Sequence, residues 1–389
     1  MNSRILKLSR DYSFFLFGAR GVGKTTLLHQ QFKEEQTLWL DLLNPELEAI
    51  FMRDPGELTA RVLGMHASQT HVVIDEIQKV PKLLDVVHQL LFEKRKHFIL
   101  TGSSARKLKQ GAANLLAGRA FVYALFPFCV TEMGATFSLE DALQFGLLPQ
   151  AALMHSTQDK MRYLQAYVHI YLKEEVYAEQ LVRNLAPFRR FLEVAAQMNG
   201  KIINYHRIAV DTGVDDKTVK NYYSILEDTL IGFSLEPFHH SFRKRLAQKP
   251  KFYFIDLGVA RSLSRTLSAT ASPGTSFYGD LFESFVITEI YKLCQYAYSE
   301  YRLSFIRTKD DVEVDLVVER PGQKCLLIEI KSAAHVDASM LQPVIQMRQE
   351  LEGEAVCLSQ DPVTKQFEGV LALHWLEGLK QFFAIPSVF

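Results

Sequence analysis

Hydrophobic and polar positions along this chain follow three different rhythms. In the first third, short apolar runs recur, three of them ending in a polar or acidic residue: Phe14-Phe15-Leu16-Phe17, Thr37-Leu38-Trp39-Leu40-Asp41, His71-Val72-Val73-Ile74-Asp75, Phe98-Ile99-Leu100-Thr101 and Phe121-Val122-Tyr123-Ala124-Leu125. Runs of this kind predict buried strands, and the helix-prone stretches between them predict a mostly parallel, doubly wound sheet. From Glu140 to Asn184 the rhythm turns helical, with Met161, Leu164, Val168 and Tyr171–Leu172 recurring on one face. Farther on, Ile202–Ala209 leads through Asp211-Thr212-Gly213-Val214 to a second amphipathic helix. Asp215 is its N-cap candidate, Val214 and Val219 stand at hydrophobic-staple positions, and Val219, Tyr222, Tyr223 and Leu226 form the inward face. Lys217, Lys220 and Asn221 are left outside, and the pair of helices reads as a winged helix-turn-helix. In the last third, Val312, Val314, Leu316 and Val318 alternate with period two, so Glu313 and Asp315 share the opposite face. The turn Arg320-Pro321-Gly322-Gln323, of type II, returns the chain into Cys325–Lys331, where Glu329 and Lys331 point together.

Composition changes this picture little. The 389 residues are 48% hydrophobic and 23% charged, ordinary for a globular protein, and too many for one core. No apolar run approaches the roughly 18–20 residues of a membrane span, and the first residues lack the apolar stretch of a secretory signal. The 4 cysteines (Cys129, Cys294, Cys325, Cys357) are scattered without metal spacing, as reduced thiols in a cytoplasmic protein would be. With 44 basic and 44 acidic residues, nucleic-acid contact would need a local basic face. The densest such run is His239-His240-Ser241-Phe242-Arg243-Lys244-Arg245 with Lys249 and Lys251, the composition of a wing loop touching phosphate; inter-domain packing is the alternative for this module.

The chemistry concentrates at two places. After the first strand comes Gly18-Ala19-Arg20-Gly21-Val22-Gly23-Lys24-Thr25-Thr26, the pattern G-x-x-x-x-G-K-[ST] between a strand and a helix. Its glycines let backbone N–H groups converge on phosphate at a helix N-terminus. Lys24 would reach the β- and γ-phosphates of ATP and Thr25 would ligate Mg²⁺. Asp75 and Glu76 close a later strand: Asp75 would hold Mg²⁺ and Glu76 would polarise the attacking water. Thr101 leaves its strand toward the same edge and is the first candidate to sense the γ-phosphate, with Ser103 the second; a Ser-rich turn capping the next helix is the other reading of Thr101-Gly102-Ser103-Ser104.

The second place is the hairpin bearing Asp315, Glu329 and Lys331. Two carboxylates on neighbouring strands suit Mg²⁺, and an adjacent lysine would position water or stabilise a pentavalent phosphate. Glu283, on the helix opened by Gly279-Asp280-Leu281-Phe282, would orient a metal-bound water. An exposed hairpin of solvated charges is the alternative.

Two resemblances follow from these residues. The order of P-loop, intervening strand, acidic strand, polar-ended strand and Gly118-Arg119 before a last strand resembles the AAA+ class of ATPases. That resemblance implies that Arg119 completes the site of a neighbouring subunit, in a homo-oligomer, most often a hexameric ring. The Asp315…Glu329-Ile330-Lys331 pattern resembles the PD-(D/E)xK nuclease superfamily. Together they resemble a widespread prokaryotic family of AAA-type ATPases that carry a C-terminal domain of unknown function. The expected fold class is therefore α/β: a P-loop AAA+-like parallel sheet (1–135) with a helical lid (136–185), a winged helix-turn-helix (186–270) and a C-terminal restriction-endonuclease-like α/β domain (271–389). The expected cofactors are ATP and Mg²⁺. The expected partners are DNA and further copies of the chain, with no membrane. The expected function is an ATPase engaged in branched-DNA or repair work; a nucleotide switch that recruits a protein is the alternative.

Overall fold

The computed structural model describes residues 3–93, 96–103, 118–171, 184–239, 249–310 and 312–384. Ser104, Leu115-Leu116-Ala117, Leu172 and the basic residues from His240 to Arg245 lie outside these. The chain divides into two compact units, Met1–Phe128 with Ser224–Ile231, and Cys129–Tyr223 with Gly232–Phe389.

In the first unit β1 (Phe14–Phe17), α1 (Lys24–Gln31), β2 (Thr37–Asp41), α2 (Pro45–Arg53), α3 (Glu57–Leu63), β3 (His71–Asp75), α4 (Leu83–Phe92), β4 (His97–Gly102) and β5 (Phe121–Ala124) follow one another. The sheet order is β2-β3-β4-β1-β5, and every neighbouring pair is parallel. All four residues of β1 are buried, as an apolar strand in the interior of a sheet requires. One core gathers Phe15 and Phe17 of β1, Leu40, Val72, Ile74 and Leu100 with Phe51 of α2, Leu58 of α3 and Leu84 and Val87 of α4. Because the strands are parallel, every carboxyl end lies along one edge. The turn after β1, Asp75 at the end of β3 and Thr101 near the end of β4 therefore converge.

The second unit opens with helices α5 (Val130–Met133), α6 (Leu139–Phe145), α7 (Pro149–Leu153) and α8 (Thr157–Tyr171). Next come α9 (Leu185–Gln197), α10 (Tyr205–Thr212), α11 (Asp216–Asp228, of which Ser224 onward counts with the first unit), β6 (Gly232–Pro237), β7 (Lys251–Phe254) and α12 (Leu257–Leu263). The last stretch is α13 (Ser276–Ala297), β8 (Arg302–Arg307), β9 (Glu313–Glu319), β10 (Leu326–Lys331), α14 (Gln342–Leu351), β11 (Glu354–Ser359), β12 (Lys365–Phe367), β13 (Val370–His374) and α15 (Trp375–Phe383). The eight-stranded sheet runs β12-β13-β11-β10-β9-β8-β6-β7.

Three features differ from the reading of the sequence. First, β6 pairs in parallel with β8 (Glu236↔Ser304, Pro237↔Phe305), so the sheet continues across the boundary expected near residue 271. Second, the helices expected to form the ATPase lid belong to the second unit, where α8 and α6 both pack on α12. Third, β9 is buried on both faces rather than one, since Val317 is fully enclosed and Asp315 only 8% exposed, alongside the enclosed Val314 and Leu316. Helices supply the cover: α14 lies on β9 and β10, and α13 also packs on β10.

Buried polar groups fix the helices. Arg261 of α12 donates to the carbonyls of Leu143, Thr266 and Ala269 and to Gln144 Oε1, and burial brings its guanidinium pKa down to about 10. Asp256 accepts from the N–H groups of Leu147 and Val259, joining the turn after α6 to the start of α12. Gly146, in that turn, has φ +71°, and a Cβ there would stand 2.2 Å from Asp256 Oδ1. Among the described residues no helix is long and apolar enough to cross a membrane. Gly146→Ala is expected to cost the second unit about 3 kcal/mol, through both the strained φ and the clash with a buried carboxylate. Urea unfolding of a Trp39→Phe background, in which Trp375 alone reports, measures this; an unchanged midpoint would contradict it.

Candidate functional site

The first site is built at the carboxyl edge of the five-stranded sheet. Gly18 leaves β1 so close to Leu125 that a Cβ would lie 2.6 Å from its carbonyl oxygen. Gly21 and Gly23 take φ +77° and +91°, a left-handed conformation that glycine adopts without strain. Gly23 caps α1 without a side-chain hydrogen bond, and the first turn of α1 holds no acidic residue. The N–H groups there are thus disposed toward an anion, with the positive end of the helix dipole behind them. Lys24 is buried and donates to the Gly18 carbonyl at 2.7 Å and the Ala19 carbonyl at 3.4 Å, so its ammonium lies within the curl of the loop.

Across the edge, Thr25 Oγ1 donates to Asp75 Oδ2 at 2.8 Å. Thr101 Oγ1 donates to the other oxygen, Asp75 Oδ1, and accepts the Glu76 N–H at 3.1 Å. Asp75 is therefore oriented from α1 and β4 together. A hydroxyl and a carboxylate in contact form a hard-oxygen pair suited to Mg²⁺, and the loop beside them suits a polyphosphate. The residues present fit Mg·ATP.

Glu76 leaves β3 at φ 60° and ψ 49°, unusual for a residue other than glycine. Its carboxylate accepts from Gln78 Nε2, which also donates to Ser103 Oγ at 3.3 Å. Gln78 is a residue that sequence reasoning passed over; its place two positions after the acidic pair was the available signal.

Arg119 lies elsewhere. It stands two residues before β5, at the amino end of the strands, exposed, against His88 of α4 and 6.0 Å from the Phe92 ring centroid. Phe14 pairs with Phe121 and Phe17 with Ala124, so Arg119 and the start of the P-loop are separated by about six residues along the strand direction, on the order of 20 Å. An arginine side chain does not bridge that gap within its own subunit.

The second site lies at the ends of β9 and β10. The ladder pairs Leu316 with Ile328, and Asp315 and Glu329 stand one step beyond. Asp315 Oδ2 accepts the Ile330 N–H at 2.7 Å, and Lys331 Nζ meets Glu329 Oε1 at 2.5 Å. Glu329 Oε2 is buried without a hydrogen-bond partner among the described residues. Glu283 of α13 accepts from Tyr253 OH at 3.2 Å.

Lys251, assigned by the sequence to the solvent-facing basic run, belongs here instead. It is 3% exposed and bonds Glu313 Oε1 at 2.6 Å and Glu283 Oε1 at 3.6 Å. The correction has a simple cause: β7 is a sheet strand, and a buried ammonium needs carboxylate partners. Burial, with the neighbouring carboxylates opposing ionisation, pushes the acids Asp315 and Glu283 each up to about 7. Desolvation likewise raises Glu329. Among the described residues no three His, Cys, Asp or Glu side chains cluster to hold a metal ion. Asp315 and Glu329 alone suit Mg²⁺ only with oxygens from water or a phosphate substrate completing its shell.

The fold and this first site define an AAA-type P-loop ATPase domain, and comparison with known families agrees. Residues 10–134 match the family described as an AAA domain. Residues 136–270 and 278–375 match two domains of unknown function, DUF8612 and DUF4143. The chain is 27% identical over 319 residues to an uncharacterized protein of Mycobacterium tuberculosis, covering 81% of this chain and 69% of that one. It is 22% identical over 378 residues to an uncharacterized protein of Methanocaldococcus jannaschii, covering 84% and 77%. Among solved structures, one of Drosophila ORC bound to AT-rich DNA and Cdc6 aligns over 66% of this chain and 86% of that chain. Its identity of 11% and TM-score of 0.23 are too low to bear on function.

The raised carboxyls give a pH dependence with a definite sign. A carboxyl whose folded-state pKa exceeds its ordinary value keeps a proton that the unfolded chain releases. Its contribution to stability is present below the ordinary value and is lost as pH rises toward about 7. In metal-free buffer, Asp315→Asn is expected to flatten the fall in unfolding midpoint between about pH 4 and pH 7. The same slope in variant and parent would contradict the assignment.

Proposed function

We propose that this chain is a Mg²⁺-dependent ATP hydrolase, completed by contact between copies, that engages DNA and carries a nuclease-like C-terminal part. The observation that carries the reading is the convergence of Lys24, Thr25, Asp75, Glu76 and Thr101 at one sheet edge. Residues Gly18 to Thr26 would wrap the phosphates, with Lys24 exchanging the Gly18 and Ala19 carbonyls for β- and γ-phosphate oxygens. Thr25 and Asp75 would hold Mg²⁺, which would supply neutralisation of the charge that develops on the phosphates. Glu76 would take the proton of the attacking water, and Thr101, already bonded to Asp75 and Glu76, would register the γ-phosphate. Arg119, too far from its own loop, would act on the loop of an adjacent copy, in a ring such as a hexamer.

Three observations support the DNA reading. Helices α9 to α11 followed by the antiparallel β6–β7 pair, with Ile202 bridging Lys251, follow the order of a winged helix. Asp215 caps α11 through the Thr218 N–H at 2.7 Å, and Val219, Tyr222 and Tyr223 are buried while Lys217 and Lys220 face solvent. From α13 to β11 the order is helix, three antiparallel strands, helix and a parallel strand, which sets Asp315 and Glu329 on adjacent strands as the nuclease-like reading needs. In this reading Asp315 and Glu329 hold metal with substrate oxygens, Lys331 faces the phosphate and Glu283 orients water.

One observation favours a second reading: Lys331 and Lys251 already pair with Glu329 and Glu313. The C-terminal part would then be a non-cutting fold that recruits a protein under control of the nucleotide.

Two experiments separate these readings. Titrating duplex, single-stranded and four-way DNA into an ATPase assay is expected to stimulate turnover with a salt-dependent affinity. A DNA-insensitive rate would favour the protein-recruiting switch. Mixing Glu76→Gln with Arg119→Ala, each inactive alone, is expected to restore activity, because some junctions then join an intact Glu76 to an intact Arg119. An inactive mixture would remove the in-trans role.

A further inference from the structure

We infer that Gln78 is a positioning residue for ATP hydrolysis: it holds the Glu76 carboxylate and ties it to the end of β4 through Ser103. This rests on the reading of Glu76 as the water-activating acid and adds a group to it.

The side chain of Gln78 is enclosed within the first unit, next to the nucleotide edge. Its Nε2 spends both hydrogens on function-bearing partners, one on Glu76 Oε2 and one on Ser103 Oγ at 3.3 Å. Its Oε1 is buried with no hydrogen-bond partner among the described residues. A buried amide oxygen left unpaired is costly, so this amide is not arranged for stability alone. Room for it is provided by Gly102, where a Cβ would come within 2.8 Å of Oε1.

Backbone geometry points the same way. Glu76 sits at φ 60°, and its N–H is held by Thr101 Oγ1 at 3.1 Å. Strain of this kind persists only where surrounding bonds over-determine it, and it concentrates at working sites. Here both ends of Glu76 are bound through β4: the N–H by Thr101, and the carboxylate by Ser103 through Gln78. The strand that lies between the phosphate loop and the acidic strand therefore controls the aim of the acid. A carboxylate free to rotate at a strand end would spend part of its time directed away from the water, and correct orientation of a base is a large share of its value.

The chain itself provides the test, with ATP turnover and the affinity for a fluorescent, slowly hydrolysed ATP analogue measured in parallel. Gln78→Leu keeps the volume and removes both donors. It is expected to lower kcat about 10- to 100-fold while KM and analogue affinity stay within about twofold. Gln78→Asn, which retains an amide, is expected to recover part of the loss. Ser103→Ala is expected to lower kcat less and to add little to Gln78→Leu, since the two act through one path. Unchanged kcat in Gln78→Leu would overturn the inference, as would a parallel loss of kcat, analogue affinity and thermal midpoint, the signature of a merely structural residue. Glu76→Gln in the same series separates the two levels. If it abolishes turnover while Gln78→Leu does not, only the role of Gln78 falls; if it leaves turnover intact, the reading of Glu76 falls and takes this inference with it.

Discussion

The hydrogen bonds that β4 makes to the carboxyl end of β3 set the geometry on which the nucleotide site depends. Because β4 is inserted between β1 and β3, the phosphate loop and the acidic pair are one strand too far apart to touch through their backbones. Thr101 closes that interval by holding Asp75 and the Glu76 N–H, while Thr25 reaches the same carboxylate from α1. Three elements thus agree on the position of a single Asp. Each bond is modest, but together they fix one carboxylate from two sides.

The same parallel register sets Arg119 apart from this edge. Everything that can touch phosphate gathers at the carboxyl edge, whereas Arg119 enters at the amino end of β5 and rests on α4. A cation placed there serves a neighbour or serves nothing in catalysis. In the second unit, the sheet brings a different set of charges together. Asp315, Glu329, Glu283 and Glu313 gather around Lys251 and Lys331, with Arg307 also on Glu313, and burial favours protons on Asp315 and Glu283. A divalent cation or a phosphate-bound metal would compensate the carboxylates in another way.

Much of this was legible in the residues, for reasons of distance along the chain. The loop from Gly18 to Thr26 is a local device whose glycines and lysine declare it without any long-range contact. Asp315, Glu329 and Lys331 were legible because a tight turn at Gly322 folds one strand directly onto the next. Lys251 was misplaced because its partner Glu313 is far along the sequence and reaches it only once β6 and β8 pair. The helices from Leu139 to Tyr171 had the right periodicity, but periodicity does not say which core they cover. Gln78 was missed because its role depends on Ser103, which arrives from another strand.

In the function proposed above, ATP is split at the P-loop edge only when an adjacent copy supplies Arg119. Turnover per protomer, measured across a wide dilution series alongside sedimentation of the same samples, tests it most directly. The account predicts a specific rate that falls as assemblies dissociate and recovers on concentration. A rate independent of concentration, sustained by sedimenting monomers, would contradict it.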